Sequence, residues 1–398
     1  MPPLRESVAI ALPEAVETRH DLHTHPELGY KETRTSGIVQ SRLAELGVEF
    51  KAGLAGGTGV LGWLPATVDP MSARTVALRA DMDALPIFEK TGLPYKSVND
   101  GVMHACGHDG HTTILMTAAG VLKQQAERRN NVLFVFQPAE EGGAGGQKLC
   151  QEGALSGKII GKPADIIFGL HGYPTAEVGH VTTRNGPLLA AASQFNIHIR
   201  GKGSHAAYPH FGIDPIVVAA HIVTALQTVA SRSVNPLDSI VITIGQVIAG
   251  VAHNVIPDTA LLRGTLRSLN DGTNGLGIRR IEEISANVAA AMGAEAEVEW
   301  MGAYPVTFND PGATDEFRAV ATRVLGKSML HEEPHPSMGG EDFSFYGQLI
   351  PASFFFLGLR PSDRETYPNL HSPEFDFNDN AIPTGVELMC ELALRAGA

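Results

Sequence analysis

Residues 103–112 gather one thiol, three imidazoles and a carboxylate into ten positions: Cys106, His104, His108, His111 and Asp109. Apolar cores do not carry titratable groups at this density. A thiolate and an imidazole two positions apart reach the same cation when the backbone between them is extended or turning, and Gly107 and Gly110 permit a turn. Cys106 and His108 are therefore the first candidate metal ligands. Taken alone, such a pair reads more readily as a buried free cysteine beside loop histidines. Its companions elsewhere in the chain shift that balance.

Three further places offer ligands: the adjacent Glu140 and Glu141, then His171, then His371. The glutamates and His171 come just after apolar runs of strand length, 131–136 and 165–170, and strand ends are where an open α/β sheet collects residues distant in sequence. Thiolate, imidazole and carboxylate together suit zinc, with manganese, cobalt or nickel as alternatives; magnesium or calcium would not favour the cysteine. One or two divalent ions per subunit fit this number of donors. On an extended segment Glu140 and Glu141 would point opposite ways, one to metal and the other to substrate. A carboxylate left free of the cation, beside a water the cation activates, is the usual general base of a metallohydrolase and returns the proton to the leaving amine. A Glu-Glu pair by itself is more commonly a solvated loop, and the glycines at 142, 143, 145 and 146, which allow close backbone approach, count against that. Asp81 and Asp83, after the strand-like run 75–79, are either ligands or groups that orient an imidazole. Glu341 and Asp342 lie on a similar loop, with an exposed helix start as the alternative. His23 and His25, followed by Glu27, read as residues that end a helix or support the site from behind.

The elements that must position these groups follow from periodicity. Helices are expected at 4–23, divided or delayed by Pro13, and at 33–46, 112–125, 315–325 and 383–395; strands at 59–64, 75–79, 131–136, 165–170 and 353–358. That is a mixed or parallel sheet with helices on both faces. Between 187 and 299 the order changes to strand 195–200, helix 214–230, strands 239–248 and 259–266, helix 278–292 and strand 296–300, the split βαβ order of a ferredoxin-like α+β insert. Within it His205, on a polar small-residue loop, could stabilise an oxyanion if the insert reaches the metal centre. Asn254 and Arg267 could hold a carboxylate, arginine by a bidentate pair.

At 398 residues the chain exceeds one ordinary core and predicts two domains. Its 30 basic against 43 acidic residues, a net charge of -13, argue against nucleic-acid and anionic-membrane partners. Three scattered cysteines do not form a disulfide framework and suit a reducing, cytoplasmic setting. The charged N-terminal residues do not resemble a signal peptide, and no apolar run of membrane-spanning length is expected.

The stretches 79–86, 103–112, 137–142, 201–210, 338–343 and 370–373 together resemble the peptidase M20 family, in particular its amidohydrolase branch of hippurate hydrolases, N-acyl-amino-acid amidohydrolases and auxin-conjugate hydrolases. The resemblance implies a zinc-exopeptidase-like catalytic domain in two parts, 1–186 and 300–398, with a lid or dimerisation domain at 187–299. It implies Cys106, His108, Glu141, His171 and His371 as metal ligands, Glu140 as general base and His205 as a catalytic partner. It further implies Asn254, Arg267 and Gly339 as substrate contacts and a homodimer or higher oligomer in which His205 and Asn254 come from the partner subunit. Where most of the family has His-x-Asp, this chain has Asp81-Met82-Asp83, one imidazole fewer; Asp81 and Asp83 are left as supporting groups. Gly172 stands after His171 where a larger residue, often tryptophan, is expected. The implied activity is hydrolysis of N-acyl or N-aroyl amino acids. The alternatives are a metallocarboxypeptidase or dipeptidase acting on short peptides, and a metal-stabilised scaffold dimer without turnover.

Overall fold

In the computed structural model, which describes residues 3–397, the chain divides into two compact units. The first comprises Met1–Leu188, Phe308–His335 and Asp342–Ala398; the second comprises Leu189–Thr307 and Pro336–Glu341. The second unit runs past the expected boundary at 299 because the strand Glu295–Tyr304 continues its sheet.

The first unit opens with helices α1 (Leu4–Thr24) and α2 (Thr33–Glu45) and strands β1 (Glu49–Leu54), β2 (Gly59–Leu64) and β3 (Thr75–Asp81). There follow α3 (His108–Lys123), β4 (Asn131–Gln137), the single turn α4 (Glu140–Gly143), α5 (Gly145–Glu152), β5 (Ile166–Glu177) and β6 (Val181–Thr183). Eight strands form one mixed sheet in the order β1, β2, β4, β3, β5, Ala352–Arg360, β6, Leu330–Glu332. β2, β3 and β4 are buried along their whole length, as strands covered on both faces must be, and their continuous apolar runs reflect this. Helices α1, α3 and Ile382–Arg395 pack on one another, and α3 and Ile382–Arg395 also lie against β3. The parallel register pairs Asp81 with Gln137, and it pairs His171 with Phe356 on the neighbouring strand. The C-terminal ends of β3 and β4 and the middle of β5 thus bring Asp81, the glutamate turn and His171 to one side of the sheet; β5 runs on to Glu177, past the expected end at 170, so His171 does not close its strand.

Two expectations need correction here. Pro13 does not divide α1, which is continuous; both Pro13 and Ala9, whose carbonyl loses its helical donor, are exposed on the solvent side. Helix α3 begins at His108 rather than at 112, directly after Gly107 at φ +86°. Gly110 is therefore helical, and its lack of a side chain serves packing: a Cβ there would lie 2.5 Å from the Phe377 ring.

The second unit is built on a four-stranded antiparallel sheet in the order Ile240–Ala249, Thr259–Ser268, Ala191–Arg200, Glu295–Tyr304. Two helices, Pro215–Thr228 and Asp271–Ala291, complete the ferredoxin-like order. Asp214 caps the first by accepting from the Ile216 N–H at 2.9 Å, and Pro215 opens its first turn. The second starts seven residues before the expected 278, capped by Asn270. Its early glycines conceal it in the sequence; at Gly277 a Cβ would come within 2.9 Å of Ile240. Contrary to expectation, among the described residues one helical stretch, Pro215–Ser233, is long and apolar enough to cross a membrane by length and composition. Its Val218, Ala219, Ile222, Leu226 and Val229 belong instead to this unit's core.

Candidate metal centre

The first unit brings all five candidate ligands together. Sγ of Cys106 lies 3.4 Å from Nε2 of His171, and Nε2 of His371 lies 3.0 Å from Oε1 of Glu141. Donor atoms of Cys106, His108 and His171 fall within 4.8 Å of one another, and so do those of Cys106, Glu141 and His371 and those of His108, Glu140 and Glu141. Cys106, His108 and Glu141 each belong to two of these groups, and His108 joins a further one with Asp81 and His111; such sharing suits a pair of adjacent ions as readily as one.

Each ligand is placed by an identifiable local cause. Cys106 and His108 flank Gly107, whose left-handed backbone turns the chain into α3. His171 sits on β5, while His371 adopts φ +63°, unusual for a side-chain-bearing residue, with its N–H donated to Ala105 O at 2.8 Å. The glutamates are not on an extended segment. Ala139 takes φ +52° and a single turn follows, with its first two N–H groups donated to Asp83: Glu140 N to Oδ1 at 2.9 Å and Glu141 N to Oδ2 at 3.0 Å. Buried Glu32, which sequence reasoning missed, accepts the Ala139 N–H at 2.8 Å and the Thr58 hydroxyl at 2.8 Å. Gly145 is obligatory after this turn, since a Cβ would lie 1.7 Å from Pro138 O.

Asp81 is held from three sides. His111 Nδ1 lies 2.7 Å from Oδ1, Arg79 Nη1 donates to Oδ2 at 2.8 Å, and the Thr112 hydroxyl donates to the Asp81 carbonyl at 2.6 Å. Burial alone would raise this carboxyl; His108, His111 and Arg79 overcome it and hold it well below the usual range. Arg79, fully buried, also donates to Gln137 at 2.9 Å and to Asp342 at 3.0 Å. Asp342 is buried, not on an exposed helix start, and accepts the Gly146 N–H at 2.8 Å. Behind α3, Asp109 accepts from His23 at 2.8 Å and Arg19 at 3.2 Å, which ties α1 to the turn bearing His108. Arg79, His111, Glu32, Arg19 and His23 are all supporting residues with at least one partner far away in sequence.

Whether these groups suit a cation is tested by His108. Both its nitrogens are buried without a hydrogen-bond partner, with the nearest carboxylate oxygens, on Asp83 and Asp81, at 3.4 and 3.6 Å. Burial would lower its pKa, but Asp81, Asp83 and Glu141 raise it to about 10: the field at this spot strongly favours positive charge. An imidazole with free nitrogens, a thiol and a carboxylate converging in such a field form a donor set that fits zinc or a similar transition ion. His104, also buried with both nitrogens unpartnered, belongs to none of the ligand groups among the described residues.

The remaining candidates lie in the second unit. His205 pairs with Val255, and Ala206 N donates to Asn254 O at 3.0 Å, so His205 and Asn254 are neighbours. Arg267 lies near the other end of Thr259–Ser268, opposite Ala192. Gly339 O accepts the Ala190 N–H at 2.9 Å. Gly340 is the glycine against Arg267: a Cβ there would come 2.8 Å from Nη1. Gly172, where a larger residue was expected, has no room for one, because a Cβ would lie 2.7 Å from Leu359.

Comparison with known proteins agrees with this geometry. Residues 77–395 match the peptidase family M20/M25/M40. N-acetyl-L-cysteine deacetylase of Bacillus subtilis is 39% identical over 383 residues, spanning 96% of this chain and 88% of that protein. IAA-amino acid hydrolase ILR1-like 4 of Arabidopsis thaliana is 40% identical over 385 residues, spanning 96% and 85%. A crystal structure from Bacillus subtilis, described as a dinuclear metal-binding peptidase from the M20 family, superposes with a TM-score of 0.81 at 34% identity, covering 97% of this chain and 98% of that one. The chain therefore belongs to peptidase family M20/M25/M40 and is a metal-dependent hydrolase of amide or peptide bonds.

Proposed function

We propose that the protein hydrolyses the amide bond of N-acyl or N-aroyl amino acids, releasing a carboxylic acid and a free amino acid, with Cys106, His108, Glu141, His171 and His371 holding one or two divalent ions. The observation that carries this reading is the division of labour in the glutamate turn. Both glutamates join a group with His108, and Glu141, unlike Glu140, also joins Cys106 and His371; Glu140 is buried beside it. An ion held by these residues would supply Lewis-acid polarisation of the scissile carbonyl and of a water. Glu140 takes the proton that the water gives up as the new C–O bond forms, and passes it to the nitrogen as the C–N bond breaks. His205 donates to the developing oxyanion.

Arg267 supports an amino-acid substrate with a free α-carboxylate. It is half-buried, desolvation lowers its pKa, and among the described residues no carboxylate is paired with it in the second unit. Asn254 would add a hydrogen bond to the same end of the substrate. His205 and Arg267 do not meet within one chain, however. The strand register sets Thr259, near the His205 loop, eight positions from Arg267, about 26 Å along a strand. A homodimer in which His205 and Asn254 complete the partner's site resolves this separation. The edge strand Ile240–Ala249, with Val241, Val247 and Ile248 exposed, is a suitable surface for such an association. The two relatives named above act, by their names, on an N-acetylated amino acid and on an amino-acid conjugate, which favours acyl amino acids over peptides. A panel of N-acetyl and N-benzoyl amino acids set against dipeptides tests this. Turnover of acyl amino acids is expected, and turnover of dipeptides alone would make the protein a peptidase.

A further inference from the structure

His111 is not one of the five proposed ligands, although its donor atom falls within 4.8 Å of those of Asp81 and His108, and both its ring nitrogens are engaged. It lies in the first turn of α3, nearly fully buried. Nε2 accepts the backbone N–H of Gly172 at 2.9 Å, which fixes the tautomer: Nδ1 carries the proton and donates to Asp81 at 2.7 Å. No lone pair is left for a cation. Gly172 in turn follows His171, and the His171 Nδ1–H donates to the Gly172 carbonyl at 2.8 Å. That bond puts the proton on Nδ1 and makes Nε2 the unprotonated nitrogen of the neutral ring, the atom 3.4 Å from Cys106 Sγ. Gly172 is thus gripped at its amide by His111 and grips the His171 ring with its carbonyl. At the far end Arg79 secures the other oxygen of Asp81.

We propose that His111 is a positioning residue for His171: through Gly172 it sets the rotation of the His171 ring, so that Nε2 faces the Cys106 side of the metal centre. The assignment rests on His171 being a ligand, as proposed above. Two conservative variants divide the contacts of His111. In His111→Asn the carboxamide sits near the place of Nδ1, so a donor to Asp81 survives and the acceptor for Gly172 is lost. In His111→Gln the carboxamide reaches the place of Nε2, so the acceptor for Gly172 survives.

Three readouts apply: exchange of the Gly172 amide hydrogen in the metal-free protein, cobalt affinity by chelator competition, and the visible spectrum of the cobalt-loaded protein. The wild type is expected to protect the Gly172 amide. His111→Asn is expected to lose that protection, weaken cobalt about 10- to 100-fold and shift the cobalt spectrum. His111→Gln is expected to stay close to the wild type in all of these. The proposal is overturned if the wild-type amide exchanges as freely as an exposed one, a measurement that needs no variant to fold. It is also overturned if both variants lose a metal equivalent together, as a ligand role for His111 would require, or if His171→Ala leaves the cobalt spectrum unchanged. None of these readouts depends on substrate, so a failure of the acyl-amino-acid reading would show in the substrate panel and leave the exchange and cobalt results standing.

Discussion

The adjacency of Glu140 and Glu141 is the feature on which the chemistry turns, and it works because the backbone between them is bent. A left-handed Ala139 and the two N–H bonds to Asp83 bring both consecutive carboxylates near His108 while Glu141 also approaches Cys106 and His371. Arg79 makes a comparable contribution from below: its buried guanidinium faces Asp81 and Asp342, both fully buried, and removing it would strand two carboxylates away from water. Arg79→Met should therefore cost about 3–5 kcal/mol in stability, read as a lower denaturant midpoint of the metal-free protein. A midpoint within experimental scatter of the wild type would show that the network contributes little. The third imidazole of the motif, His111, was visible in the sequence but its use was not, since Gly172 lies 61 positions away.

At the scale of elements, α1 and α3 are joined by a buried ionic contact that responds to pH. His23 lies between Asp109 and Glu89; burial would lower its pKa, but these carboxylates raise it to about 9. A folded-state value above the unfolded one stabilises the protein fully below the unfolded pKa of about 6.5, and the contribution fades as pH rises toward 9. Denaturation of the metal-free protein at pH 6 and pH 9.5 should show a fall in stability that His23→Gln largely removes; an equal fall in both proteins would assign the pH dependence elsewhere. The places of Asp81, Glu140 and His171 were legible because each interrupts or follows a continuous apolar run, but the continuation of β5 past His171 to Glu177 was not. The start of α3 was not, because glycine at 107 and glycine at 110 look alike in a sequence. The first is there for its positive φ, the second for the ring of Phe377, more than 260 positions away. The left-handed conformations of Ala139 and His371 were equally hidden, since neither residue advertises one.

At the scale of the whole molecule, the ferredoxin-like order of the second unit was readable from its alternating periods, but the return of residues 336–341 to it was not, because that segment carries no periodicity of its own. The separation of His205 from Arg267 makes the proposed sharing of a site between subunits testable by mixing. His205→Ala and Arg267→Ala should each be nearly inactive, and random reassociation of the two should restore about a quarter of wild-type activity, since half the dimers are mixed and each holds one intact site. No recovery from a verified mixed dimer would mean that each subunit works alone. That Glu140 moves the proton while Glu141 holds metal is tested most directly by Glu140→Gln, with metal content and N-acyl amino acid turnover measured on the same sample. Full metal content, an unchanged KM and a kcat lower by about 10²–10⁴-fold are predicted. Wild-type turnover with Glu140 replaced and the metal retained would contradict the account.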